Sequence, residues 1–194
     1  MISYKASSGR TIVFDKKKYL VTKQYTLSDD DYAWNDNVMM ELKHIGMYKI
    51  VQCDNSTKSI TYDYIEGMDN YAIDKLQDVI DMVARYSKPI QGETKLSTVR
   101  EMHKRLFEME WPDWLVEQFK GMQFDCLTHA DVHQINIVLS AEKDKPMLID
   151  WERACLAPHM YDIGSWLVNK AGFNANPLST FDRLLSECND EAIT

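Results

Sequence analysis

Hydrophobic residues fall in short, strand-like runs through the first third of the chain and at wider, helical intervals after it. Thr11-Ile12-Val13-Phe14 and Tyr19-Leu20-Val21-Thr22-Lys23 are rich in β-branched and aromatic residues, with the polar stretch Asp15 to Lys18 between them. That pattern predicts a β-hairpin. Ile2-Ser3-Tyr4 predicts a strand before it, joined through Ser7-Ser8-Gly9. An acidic stretch, Ser28 to Asp31, precedes a helical segment that runs to Gly46, a residue suited to a helix C-terminus. Ile50-Val51-Gln52 and Ser59 to Ile65 predict two more strands around a turn at Asp54 to Lys58.

From Asp69 the period lengthens. Ile73, Leu76, Ile80, Val83 and Ala84 recur at helical spacing, and a loop with Pro89 and Gly92 follows. Thr98 and Glu101 stand at capping-box spacing, and Val99, Met102, Leu106 and Phe107 continue as one helical face. Another helix is expected from near Pro112, carrying Leu115, Phe119 and Met122. One strand pair interrupts this part: Ile135 to Leu139, a charged turn at Glu142 to Lys145, then Met147 to Ile149. Strands first and helices afterwards, with the change near Gly67, predict an α+β chain. The expected division is a β-rich part over residues 1–67 and a helical part over 68–194.

Composition narrows the picture. The chain has 194 residues, 45% of them hydrophobic, enough for one compact unit or two small lobes. A net charge of -8 argues against non-specific nucleic-acid binding, which needs a basic stripe. Cys53, Cys126, Cys155 and Cys188 are scattered with no C-x-x-C, the pattern of reduced thiols in a cytoplasmic protein. No apolar run reaches the ~18 residues of a membrane span. Met1 to Arg10 lacks the apolar core of a signal peptide, so no membrane association is expected.

The chemistry concentrates in His129-Ala130-Asp131-Val132-His133-Gln134-Ile135-Asn136 and in Leu148-Ile149-Asp150-Trp151-Glu152. Antiparallel pairing about a turn near Lys143 brings Asn136 and Asp150 to the same open end of the hairpin, with Asp131 on the loop that feeds it. An amide oxygen and a carboxylate are the hard-oxygen set that magnesium with bound phosphates prefers. The remaining carboxylate is free to accept a hydrogen bond from an attacking hydroxyl. His129 and His133, four residues apart, could instead suggest zinc, but that needs a third ligand and no H-E-x-x-H occurs.

The H-x-D-x-x-x-x-N loop followed by I-D-W-E resembles the aminoglycoside phosphotransferase and choline kinase families, and echoes the H-R-D…N and D-F-G elements of protein kinases. Pro158-His159-Met160-Tyr161-Asp162-Ile163 is similar to the P-x-x-Y-D-[IL] stretch that follows the metal aspartate in these families. The resemblance implies a two-lobed protein-kinase-like fold with a small β-rich N-lobe and a reduced helical C-lobe, since few residues follow Asp162. It implies transfer of the γ-phosphoryl of ATP, with Mg2+, to a hydroxyl of a small molecule such as an aminoglycoside, choline or another amino alcohol, or a sugar. Asp131 would be the catalytic base or orienting group, and Asn136 and Asp150 the metal ligands. His129 would be a buried scaffold residue and Asp162 a buried support for the loop.

The likeness extends to the first part of the chain. Lys23 ends a strand as the nucleotide lysine does in these families, with Asp36 and Glu41 both candidates for its acidic partner. Ser7 and Ser8 would form a serine-bearing phosphate loop in place of G-x-G-x-x-G. Ile60 to Gly67 resembles the strand and hinge where backbone groups, here those of Asp63 and Ile65, meet adenine. His103 is expected to be a packed core histidine. Trp111, Trp114, Tyr161 and Trp166 are aromatic candidates for caging a quaternary ammonium. Two other readings stand beside the enzyme: a pseudokinase or nucleotide-dependent binding module, and a protein kinase. The second lacks an A-P-E element between Asp150 and Asp162.

Overall fold

The β-branched and aromatic runs at the start form five antiparallel strands: β1 (Ile2–Lys5), β2 (Thr11–Asp15), β3 (Leu20–Gln24), β4 (Val51–Asp54) and β5 (Ser59–Asp63). The structure, a computed structural model, describes residues 2–5, 10–25, 29–49, 51–69, 71–142 and 144–171. The sheet order is β1-β2-β3-β5-β4. Side-chain hydrogen bonds set its tight turns. The Asp15 carboxylate accepts from the amides of Lys17 and Lys18, and Asp54 accepts from those of Ser56 and Thr57. Such Asx contacts pin a turn and so fix the register of the strands that leave it. Helix α1 (Asp29–His44) packs against β4 and buries Val38 and Leu42. Val21, Val51 and Ile60 supply the sheet's buried residues.

The chain divides into two compact units, residues 1–66 and 67–194. The second opens on β6 (Gly67–Met68) and continues through α2 (Leu76–Ala84), α3 (Val99–Phe107), α4 (Asp113–Gln118), β7 (Cys126–Thr128), β8 (Ile137–Ser140), β9 (Lys145–Leu148), β10 (Cys155–Ala157) and α5 (Tyr161–Ala171). The capping box is formed: the Thr98 hydroxyl accepts from the Glu101 amide, and the Glu101 carboxylate accepts from the Thr98 amide. The core gathers Leu76, Val79, Met82, Tyr86, Val99, Met102, Leu127, Leu148 and Trp151.

Several elements differ from the sequence expectation. The strand expected to begin at Ile135 begins at Ile137, because Gln134–Asn136 closes a 3-10 turn and Ile135 points outward. The helix expected from Ile73 begins at Leu76, though Ile73 is buried as its apolar character requires. Phe119 and Met122 lie beyond the end of α4. The second unit holds more than the one expected strand pair. β6 adds to the β8–β9 hairpin, and β7 pairs with β10 in a separate ribbon. These three strands are two or three residues long, too short for alternation to reveal them.

Gly67 is required where β6 meets β8. A Cβ at this position would stand 2.0 Å from the Leu139 carbonyl oxygen, so only hydrogen fits.

Candidate active site

The loop between β7 and β8 is held from two sides. Asp162, in the first turn of α5, is buried and accepts three hydrogen bonds: from the His129 amide at 2.7 Å, the Ala130 amide at 2.8 Å and the Tyr86 hydroxyl at 2.9 Å. A buried carboxylate is tolerated when several donors replace its water. The clamp has a backbone consequence. Ala130 has φ of 60°, a left-handed conformation unfavourable for a residue with a Cβ, and the hydrogen bonds from its own amide and that of His129 hold it there. Burial of Tyr86 beside Asp162 pushes its phenol well above the ordinary range, so it stays a donor.

His129 ties the loop to the β9 end. Its Nε2 lies 2.8 Å from the Ile149 carbonyl oxygen, and burial lowers its pKa below the usual histidine value. The ring is therefore neutral, carries its proton on Nε2 and donates to Ile149. Trp151 packs edge-on against it, with ring centroids 4.7 Å apart, and anchors its own Nε1 on the Leu148 carbonyl. His133 faces elsewhere, toward Asn136 and Asp131. The two imidazoles do not converge as zinc ligands, and among the described residues no group of three histidine, cysteine or acidic side chains could hold a metal.

The hairpin brings Asn136 and Asp150 to one end. Ile137 pairs with Leu148, and the Ile149 amide donates to the Asn136 carbonyl at 2.9 Å, so Asp150 follows directly at the edge. Asp150 has φ of 63° and opens the turn Trp151–Arg153. Asn136 is buried, and its amide nitrogen contacts the Asp131 main-chain oxygen at 3.0 Å and Asp131 Oδ2 at 3.3 Å. Because the amide nitrogen is spent on the loop, Oδ1 is the atom left to meet a cation. An Asn amide oxygen and an Asp carboxylate are donor types that suit magnesium, which takes few protein ligands and keeps waters and phosphate oxygens.

Asp131 itself is partly exposed. Its Oδ1 accepts from Arg153 Nη1 at 2.8 Å, and its Oδ2 stands 3.5 Å from His133 Nε2. Arg153 lies over the Phe107 ring, 5.5 Å from its centroid. Arg153 and Tyr86 were not singled out from the sequence, and Phe107 was read only as part of a helical face. An arginine next to a carboxylate motif does not reveal a partner 22 positions away, and a buried tyrosine reads as core.

Unit 1 carries the remaining sequence candidates. Lys23 pairs in register with Ile12 and Ile60, so it sits centrally in the sheet. Asp36 hydrogen-bonds Cys53 on edge strand β4, and burial followed by this contact pushes the Cys53 thiol up to about 12. Cys53 pairs with Ile60, which pairs with Lys23, so Asp36 is engaged two strands from the lysine. Asp63 accepts from the Lys49 amide, and the Tyr64 amide donates to the Tyr19 carbonyl. Beside these residues and Ile65 lies a cavity of about 420 Å³ lined by Ile2, Phe14, Asp15, Lys16, Tyr19, Leu20, Tyr64 and Glu66. Ser7 and Ser8 lie outside the described residues.

His103 accepts from Trp111 Nε1 at 2.9 Å, as a packed histidine does. The aromatic candidates for a cation cage are dispersed. Trp111 packs on Phe119 and Phe124, Lys170 covers Trp166, and Trp114 is exposed.

The phosphotransferase enzyme family model matches residues 66–191. No curated protein matches the chain. Among solved structures, choline kinase LicA from Streptococcus pneumoniae aligns with a TM-score of 0.64 at 15% identity, covering 96% of this chain and 74% of that one. Aminoglycoside phosphotransferase APH(3'')-Id from Streptomyces rimosus gives 0.62 at 12% identity, covering 95% and 84%. Amicoumacin kinase hAmiN, solved in complex with AMP-PNP and Ca2+, gives 0.56 at 14% identity, covering 95% and 67%. The fold is therefore kinase-like, mixed α+β with a β-rich N-terminal part. With the family model matched over more than half of its length, through the very loop and hairpin that hold Asp131, Asn136 and Asp150, this chain belongs to the phosphotransferase enzyme family.

Proposed function

We propose that the chain moves the γ-phosphoryl group of ATP to a hydroxyl of a small molecule, an amino alcohol, aminoglycoside or sugar. The observation that carries this reading is the loop from His129 to Asn136, clamped by Asp162 and linked to the Asp150 end of β9 through His129. Such rigidity suits phosphoryl transfer, where catalysis is positioning and charge neutralisation rather than covalent chemistry. Asp131 accepts the hydrogen bond of the acceptor hydroxyl and orients its oxygen. Asn136 Oδ1 and the Asp150 carboxylate would hold magnesium, which supplies charge neutralisation on the phosphates when bound.

Lys23 contributes a point charge to the phosphates, Ser7 and Ser8 a phosphate loop, and the Asp63 and Ile65 backbone the adenine contacts. The cavity beside Tyr64 is of a size to admit a base. Since Asp36 is bound to Cys53, Glu41 is the acid we assign to Lys23. No helix among the described residues is long and apolar enough to cross a membrane, consistent with action on a water-soluble acceptor in the cytoplasm.

The test is calorimetry and steady-state turnover with MgATP. Wild type should bind MgATP. Asp150→Ala should lose most of the magnesium-dependent affinity. Asp131→Asn should bind normally and turn over ~100-fold or more slowly. Equal effects of both changes on nucleotide affinity would overturn the assigned roles. Binding without turnover in wild type would favour a nucleotide-dependent binding module.

A further inference from the structure

The reading of Asp131 as the group that orients the acceptor leaves open how its carboxylate is aimed. A carboxylate rotates about its last bond, and its two oxygens are equivalent in the free side chain. In the structure they are not. Oδ1 receives the Arg153 guanidinium at 2.8 Å, a charge-assisted bond. Among the described residues, Oδ2 meets only the long contacts to Asn136 Nδ2 at 3.3 Å and His133 Nε2 at 3.5 Å. A carboxylate has about four acceptor sites, so Oδ2 keeps capacity for a hydroxyl.

We propose that Arg153 is a positioning residue: it fixes Oδ1 of Asp131 and thereby presents Oδ2 to the acceptor. This rests on the assignment of Asp131 above. Two features of the structure support it. Arg153 ends the short turn that Asp150 opens, so the segment that places the metal-side carboxylate also sets the guanidinium. The guanidinium is in turn steadied over the Phe107 ring at the C-terminal end of α3. The pair is also a poor candidate for a purely structural role. Arg153 is 38% exposed and Asp131 20%, and an ion pair so open to water adds little to stability. A planar fork held by an aromatic face does give direction, which an ammonium on a flexible stem does not.

The experiment compares wild type, Asp131→Asn, Arg153→Met, Arg153→Lys and Phe107→Leu in steady-state hydrolysis of MgATP, with water as the acceptor, and in thermal melting. Arg153→Met should lower kcat by about 100-fold, the scale of an ångström of misplacement. KM for MgATP should stay within about twofold and the melting temperature should be nearly unchanged. Arg153→Lys should recover part of the loss, since charge returns without the fork. Phe107→Leu should give a smaller fall in kcat at constant KM. If Asp131→Asn is inactive while Arg153→Met turns over like wild type, the positioning role is overturned and the reading of Asp131 stands. If Asp131→Asn turns over like wild type, or wild type does not turn over, the underlying reading fails and the inference fails with it. Should Arg153→Met melt early, Phe107→Leu decides: an unchanged kcat there overturns the proposal.

Discussion

Asp162 accepts from three donors that lie on different segments: Tyr86 after α2, and the amides of His129 and Ala130 after β7. Removing its carboxylate strands all three in a buried site, at about 1–3 kcal/mol for each lost partner. Asp162→Ala is therefore expected to lower stability by several kcal/mol in urea titration, and to slow turnover, because nothing then holds Ala130 in its left-handed conformation. Tyr86→Phe separates the two effects. It removes one donor from the carboxylate and leaves both amide bonds, so it should cost about 1–2 kcal/mol and keep kcat. Parallel losses of turnover in both variants would contradict this division.

His129 gives a pH dependence. Its folded pKa is depressed by burial, so as the pH falls below the ordinary histidine value of about 6.5 the unfolded chain takes up a proton that the folded chain does not. Stability should therefore decline as the pH falls from about 6.5, by up to about 1.4 kcal/mol per pH unit from this group. It should be fully present above that value. Equilibrium unfolding between pH 5 and 7.5 checks it. His129→Gln, which can still donate to Ile149, should flatten the slope, and an unaltered slope would remove His129 as its cause.

At the level of elements, the hairpin β8–β9 sets Asn136 and Asp150 at one end and β6 braces it. The brace depends on Gly67, since any Cβ there would collide with the Leu139 carbonyl. Gly67→Ala must push β6 away from β8. The expected cost is about 1–3 kcal/mol, as for other overpacked sites, with faster amide exchange in β8. Wild-type exchange in β8 of that variant would show that β6 is dispensable. The strands of the first unit and the capping box of α3 were legible from the chain because their signals are local: alternation within a run, or a side chain three residues from its partner. The β7–β10 ribbon was not, because pairing between Cys126–Thr128 and Cys155–Ala157 joins segments with no shared turn. Its residues are buried on both faces, which alternation cannot register.

For the whole molecule, the division between residues 66 and 67 falls where strand-like runs give way to helical spacing. The net charge of -8 is a property of the sequence alone and bears on partners rather than on fold. By itself the sequence determined the α+β order, the five strands of the first unit, the capping box and the loop-and-hairpin motif, since each is written in neighbouring residues. The resemblance of that motif to a family added candidate roles for Asp131, Asn136, Asp150 and Asp162. Only the tertiary structure decided that Arg153 meets Asp131, that Asp36 turns to Cys53, that His129 and His133 face different partners, and that Gly67 must lack a side chain. Apart from those of His133, these contacts join residues far apart in the chain. They form only once the backbone has closed the loops between them, and single-residue preferences carry no record of that closure.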